Sequence, residues 1–131
     1  MASMASHHFV GKGLVSRELA EAVRESGSLI GRVTALVRGA GLEVVGHRLV
    51  EFDNGGLTAV WVLAESHLVL HHWGHEGYAT IDLHVCDYRV SNAVKAASLI
   101  ESLTAFCFAD ATVTWRELHL EDPAPALKAP A

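Results

Sequence analysis

The stretch Asp53-Asn54-Gly55-Gly56-Leu57-Thr58-Ala59-Val60-Trp61-Val62-Leu63-Ala64 decides the fold. An Asn-Gly pair between apolar runs is a strong short-range hairpin signal, because both residues accept the positive φ that a tight turn needs. The turn at 53–56 therefore predicts a strand over 42–52 on one side and another over 57–64 on the other. Residues 66–72 continue the pattern beside the second strand or beyond a kink. Trp73-Gly74-His75-Glu76-Gly77 reads as a further turn. Beyond it, 78–86 alternates, with Ile81, Leu83 and Val85 on one face and Asp82, His84 and Cys86 on the other.

Helical spacing brackets this block. Leu19, Ala22 and Val23, then Leu29, Ile30, Val33, Leu36 and Val37, recur at a 3.6-residue period. Ser16 is the candidate N-cap, Gly27 a break, and Gly39-Ala40-Gly41 the stop. A second helix is predicted over 91–107, with Ser91 or Asn92 as its N-cap, and a last strand over 111–120. Residues 1–13 read as irregular. The tail from Glu121 holds all three prolines and reads as disordered. Short turns favour antiparallel pairing. The order helix, hairpins, helix, strand implies an α+β two-layer sandwich, a mainly antiparallel sheet with helices on one face.

The 131 residues fit a single domain spanning 1–131, with a core modest enough that oligomerisation is expected. The net charge of -5 and the lack of a basic stripe argue against nucleic acid. No apolar run reaches membrane-spanning length and no signal segment stands out, so neither a membrane partner nor secretion is expected. Cys86 and Cys107 form no CxxC motif, which predicts free thiols and a reducing cytoplasm. His67, His71, His72, His75 and His84 lie close together, but their spacing matches no metal motif, and no metal is expected. Trp61 and Cys107 read as core, and Glu18, Glu21, Arg24 and Glu25 as a solvated helix face.

Reactive residue types concentrate in Ala64-Glu65-Ser66-His67-Leu68-Val69-Leu70-His71, with Cys86 at the end of the next strand. Taken singly, each has an ordinary reading: a turn serine, a core histidine, a buried thiol. Taken together, Glu65-Ser66-His67, a histidine five residues after the serine and a cysteine twenty after it resemble the bacterial and archaeal S-adenosylmethionine decarboxylases. Phe52, Thr58, Gly77-Tyr78-Ala79 and Asp82 extend the likeness over roughly residues 47–100.

The resemblance implies a proenzyme that cuts itself between Glu65 and Ser66 into fragments 1–65 (β chain) and 66–131 (α chain). Ser66 attacks the preceding carbonyl to give an ester. His71 removes the serine α-proton as processing base, a task suited to an imidazole, and Thr58 supports the ester step. Elimination and loss of ammonia leave a pyruvoyl group as covalent cofactor. That carbonyl acts as electron sink through a Schiff base with the substrate amine, and Cys86 returns the proton. Phe52 and Glu76 contact the small-molecule substrate. The implied reaction is decarboxylation of S-adenosylmethionine for spermidine synthesis, in a homo-oligomer, a dimer of αβ units. Arginine or ornithine as substrate, or a degenerate copy without turnover, are the alternatives.

This chain departs from the family pattern in three places. Trp73-Gly74-His75 replaces an aromatic-proline-glutamate run, with Glu76 one place late. Asp87 follows the cysteine in place of glycine. Lys12 stands where the family tends to carry a carboxylate.

Overall fold

Alternation builds the sheet, and the sheet selects which helix faces are buried. The computed structural model describes residues 5–25, 28–87, 89–110 and 112–120. Among them are strands β1 (Ser6–Leu14), β2 (Glu43–Glu51), β3 (Leu57–Ala64), β4 (Ser66–Trp73), β5 (Tyr78–Cys86) and β6 (Thr114–Leu118). Helices are α1 (Arg17–Arg24), α2 (Ser28–Gly39) and α3 (Ala93–Cys107). The six strands form one sheet in the order β2-β3-β4-β5-β1-β6, and every described pairing is antiparallel.

The hairpin at 53–56 closes through Phe52 N–H to Gly56 O at 2.8 Å and Gly56 N–H to the Asn54 side chain at 3.0 Å. Gly55 there takes a φ of +84°, which side-chain-bearing residues rarely adopt. Leu57, Ala59, Trp61 and Leu63 then point to one face, continued by Leu68, Leu70, Ala79, Ile81, Leu83 and Val85, all buried. Leu19, Leu29, Val33, Val37, Leu99 and Leu103 close over them from the helices. Trp61 is fully buried, and its indole N–H lies 3.2 Å from the Thr34 hydroxyl, which fixes α2 across β3. Ser16 caps α1 as expected, accepting from Leu19 N–H at 3.0 Å.

The opposite face carries Thr58, Val60, His67, Val69, His71, Thr80, Asp82 and His84, and no described element covers it. The sandwich is thus two layers, helices and sheet, as the patterning implied.

The N-terminal segment corrects the sequence reading. Residues 6–14 are not irregular but form β1, paired to β5 on one side and β6 on the other. The expected last strand is shorter, Thr114–Leu118. The second helix starts at Ala93, with Asn92 in the N-cap position but without a side-chain capping bond. Gly27 and the tail from Glu121 lie outside the described residues.

Candidate active site

The β3–β4 hairpin places Glu65 and Ser66 at one end of the sheet. Ser66 lies between Leu63 and Val85, and its φ is +133°, a sparsely populated conformation that costs on the order of 1–3 kcal/mol and clusters at functional sites. Cys86 ends β5 beside it: the Cys86 N–H points at the Glu65 carbonyl oxygen at 3.4 Å. Glu65, Ser66 and Cys86 are therefore brought together. Cys86 is half-buried, whereas Cys107 is fully buried and its thiol is pushed up to about 12 by desolvation.

Thr58 and His71 form a second group. They face each other across β3 and β4, with Thr58 Oγ1 2.8 Å from His71 Nδ1. A ring proton on Nδ1, donated to the hydroxyl oxygen, leaves Nε2 free to act as a base. Phe52 joins them in a cleft of about 350 Å³ that also includes His72 and Trp73. His71 borders a second cleft, of about 460 Å³, on its other side, with Lys12, Thr80, Asp82 and Arg116.

Within one chain these two groups are apart. Five residues of extended β4 separate Ser66 from His71, roughly 17 Å at the usual strand rise. Glu76 sits in the exposed β4–β5 turn and borders neither cleft that holds His71.

Several polar residues here were given no role at the site from sequence. His8, His67 and His84 gather around Asp82, with His8 Nε2 2.7 Å from its carboxylate and the His8 and His84 rings stacked at 4.7 Å. The His84 ring titrates below its ordinary range, first through desolvation and then through the neighbouring His8 and His67. His72 is lowered by burial, and its Nδ1 is buried without a hydrogen-bond partner. The Lys12 ammonium lies 4.4 Å over the Tyr78 ring. The signals in the sequence were the density of histidine and, for Tyr78, Asp82 and Lys12, the comparison with the family pattern. Among the described residues no group of three or more His, Cys, Asp or Glu is placed to hold a metal ion. Nor, among them, is any helix long and apolar enough to cross a membrane.

The two-layer sandwich thus holds a strained serine next to Cys86 at one end of its sheet. Residues 16–116 match the S-adenosylmethionine decarboxylase family, and the chain belongs to it. It is 48% identical over 63 residues to an S-adenosylmethionine decarboxylase proenzyme of Symbiobacterium thermophilum, covering 48% of each chain. A proenzyme of the same name from Bacillus cytotoxicus is 36% identical over 66 residues, 50% of this chain and 51% of that one. The chain thus spans about half the length of the curated relatives it matches. The crystal structure of the adenosylmethionine decarboxylase from Aquifex aeolicus superposes with a TM-score of 0.72 at 20% identity, over 94% of this chain and 98% of that one, a likeness of fold.

Proposed function

We propose that this protein cleaves itself between Glu65 and Ser66, converts Ser66 to a pyruvoyl group, and decarboxylates S-adenosylmethionine to the aminopropyl donor for spermidine synthesis. The observation that carries this is Ser66 at a φ of +133° with the Glu65 carbonyl facing the Cys86 N–H. The strained turn favours attack of the Ser66 hydroxyl on that carbonyl, and the N–H meets the oxygen where negative charge develops. The fit for a pyruvoyl group rests on the same junction, which is half-buried at Ser66 and bordered by Cys86. When present, that group supplies an electron sink for loss of carbon dioxide. Cys86 holds the proton that is returned to the substrate.

His71, with Thr58 behind it, is the base of self-processing. Its distance from Ser66 in the same chain leaves the site incomplete, so the working unit is a pair of αβ copies. The uncovered sheet face, where Val62 is 46% and Val50 38% exposed beside the histidines, is the surface that pairs. Thr58 and His71 of one copy then serve Glu65, Ser66 and Cys86 of the other.

Phe52, half-exposed at the mouth of its cleft, is suited to stack on adenine. Glu76 meets substrate only if the β4–β5 turn closes over it. A second reading keeps the chemistry and changes the substrate to arginine or ornithine. Lys12 and Arg116 beside His71 weigh against it, since their positive charge repels the cationic side chain of either substrate.

The deciding experiment is an intact mass under denaturing conditions. Two fragments meeting between residues 65 and 66, and a single chain for Ser66→Ala, are expected. A single active chain with a free Ser66 sinks the proposal.

A further inference from the structure

Among the described residues only Ser16 and Asn92 are buried polar residues. Ser16 has a plain reason, since it caps α1 and donates to the Phe106 carbonyl. Asn92 does not. It occupies the N-cap position of α3, where an amide oxygen commonly accepts a backbone N–H, yet its side chain makes no capping bond. Instead its Nδ2 reaches back to donate to the carbonyl oxygen of Cys86 at 2.9 Å.

The Asn92 backbone is itself held. Asn92 N–H donates to Asp87 Oδ1 at 2.8 Å, and the same oxygen lies 2.9 Å from His7 Nε2. The Asp87 N–H donates to the Ala5 carbonyl at 2.8 Å. The Asp87 carboxyl titrates below its ordinary range, first because of the Asn92 N–H and then because of His7. Both backbone polar groups of Cys86 are consequently taken: its N–H by the Glu65 carbonyl, its C=O by Asn92. Two such anchors restrict rotation on either side of the Cα, and with it the direction of the thiol.

We infer that Asn92, steadied by Asp87, is a positioning residue that holds the Cys86 thiol against the Glu65–Ser66 junction. It touches neither substrate nor the reacting atoms. Its effect passes through the Cys86 carbonyl, so losing it loosens the proton donor without removing it. This rests on the role given to Cys86 above, and the test separates the two.

In a Ser66→Ala chain, which needs no cut, the alkylation of both cysteines by iodoacetamide is followed by mass. Adding Asn92→Ala is expected to speed modification of Cys86 severalfold while buried Cys107 stays unmodified. In the processed enzyme, Asn92→Ala is expected to lower kcat by roughly tenfold or more with KM held, since misplacement by about 1 Å can cost two orders of magnitude. Unchanged Cys86 alkylation together with unchanged kcat overturns the inference. Modification of Cys107 alongside Cys86 means the variant has not folded. Asn92→Asp, isosteric but unable to donate to the carbonyl, then replaces it with the same expected and overturning results. Failure of wild type to cleave or turn over would count against the pyruvoyl reading instead, and leaves the alkylation comparison standing.

Discussion

Thr58 Oγ1 and His71 Nδ1 are 2.8 Å apart across the β3–β4 ladder, while Ser66 lies five residues further along the same strand. On the function proposed above, a base so far from its proton acts on another copy. Co-expression tests this directly. His71→Ala alone is expected to stay uncut, and Ser66→Ala alone likewise. Expressed together, the His71→Ala chain should be cleaved by the histidine of its partner. If mixing restores no cleavage while both variants still associate, the base acts within one chain and the paired site is wrong. Thr58→Ala should slow cleavage with His71 in place.

A metal and a carbonyl cofactor give opposite inhibitor patterns. Five histidines between 67 and 84 make the comparison worthwhile. Chelators are expected to leave carbon dioxide release unchanged, and hydroxylamine to abolish it. Loss of activity on chelation, restored by added zinc, would reverse the assignment.

Phe52 reports on the substrate. For S-adenosylmethionine, Phe52→Ala is expected to weaken use by about 1–3 kcal/mol, the scale of base–aromatic stacking. Self-cleavage should be intact. Carbon dioxide release should be measured from S-adenosylmethionine, arginine and ornithine. Faster release from arginine or ornithine, indifferent to Phe52→Ala, would change the substrate and keep the chemistry.

Acid should destabilise the fold in a defined window. Burial favours neutral His72 in the folded state, so the unfolded chain takes up a proton first as the pH falls through the ordinary value of 6.5. Stability is intact above that value and is lost below it, until the native ring protonates too. His84 acts with the same sign. Asp87, held below the ordinary carboxyl range, contributes stability that is lost only at still lower pH. Urea unfolding across this range should show less acid sensitivity for His72→Gln. An identical slope would mean His72 is not the group responsible.

Trp61 anchors the two layers. Trp61→Ala is expected to cost about 3–5 kcal/mol, the usual range for emptying a buried aromatic site. Chemical denaturation would measure it, and a loss under about 1 kcal/mol would mean the site collapses on itself.

Local patterns made most of the sheet legible. The Asn54-Gly55 turn and the alternation over 78–86 are short-range signals, and their strands stand where they were expected. Strand β1 was not legible, because tertiary contact dictates its sequence. A Cβ on Gly11 would meet the Trp115 ring at 2.6 Å, and one on Gly13 would meet the Phe108 ring at 2.8 Å. Glycines needed for close approach erase the apolar alternation that marks a strand. At the site, the spacing of Ser66, His71 and Cys86 and the strand that holds the first two apart were both visible, but the pairing of Thr58 with His71 across the ladder was not. Asn92 was legible as a cap and not as a tether, since its partner Cys86 lies across a loop.

The strand order has a bearing on what a nick between Glu65 and Ser66 leaves behind. One piece would own β1, β2 and β3, the other β4, β5 and β6. Across the sheet these do not sit side by side as two halves. They interleave, with β1 threaded between β5 and β6. The ladders β3–β4, β1–β5 and β1–β6 are all seams between the pieces. Parting them means unzipping three seams and splitting the core at once. The nicked protein is therefore woven rather than joined, and it behaves as one body until it is denatured. Neither piece made alone contains neighbours for all its strands, so each needs the other to complete the sheet.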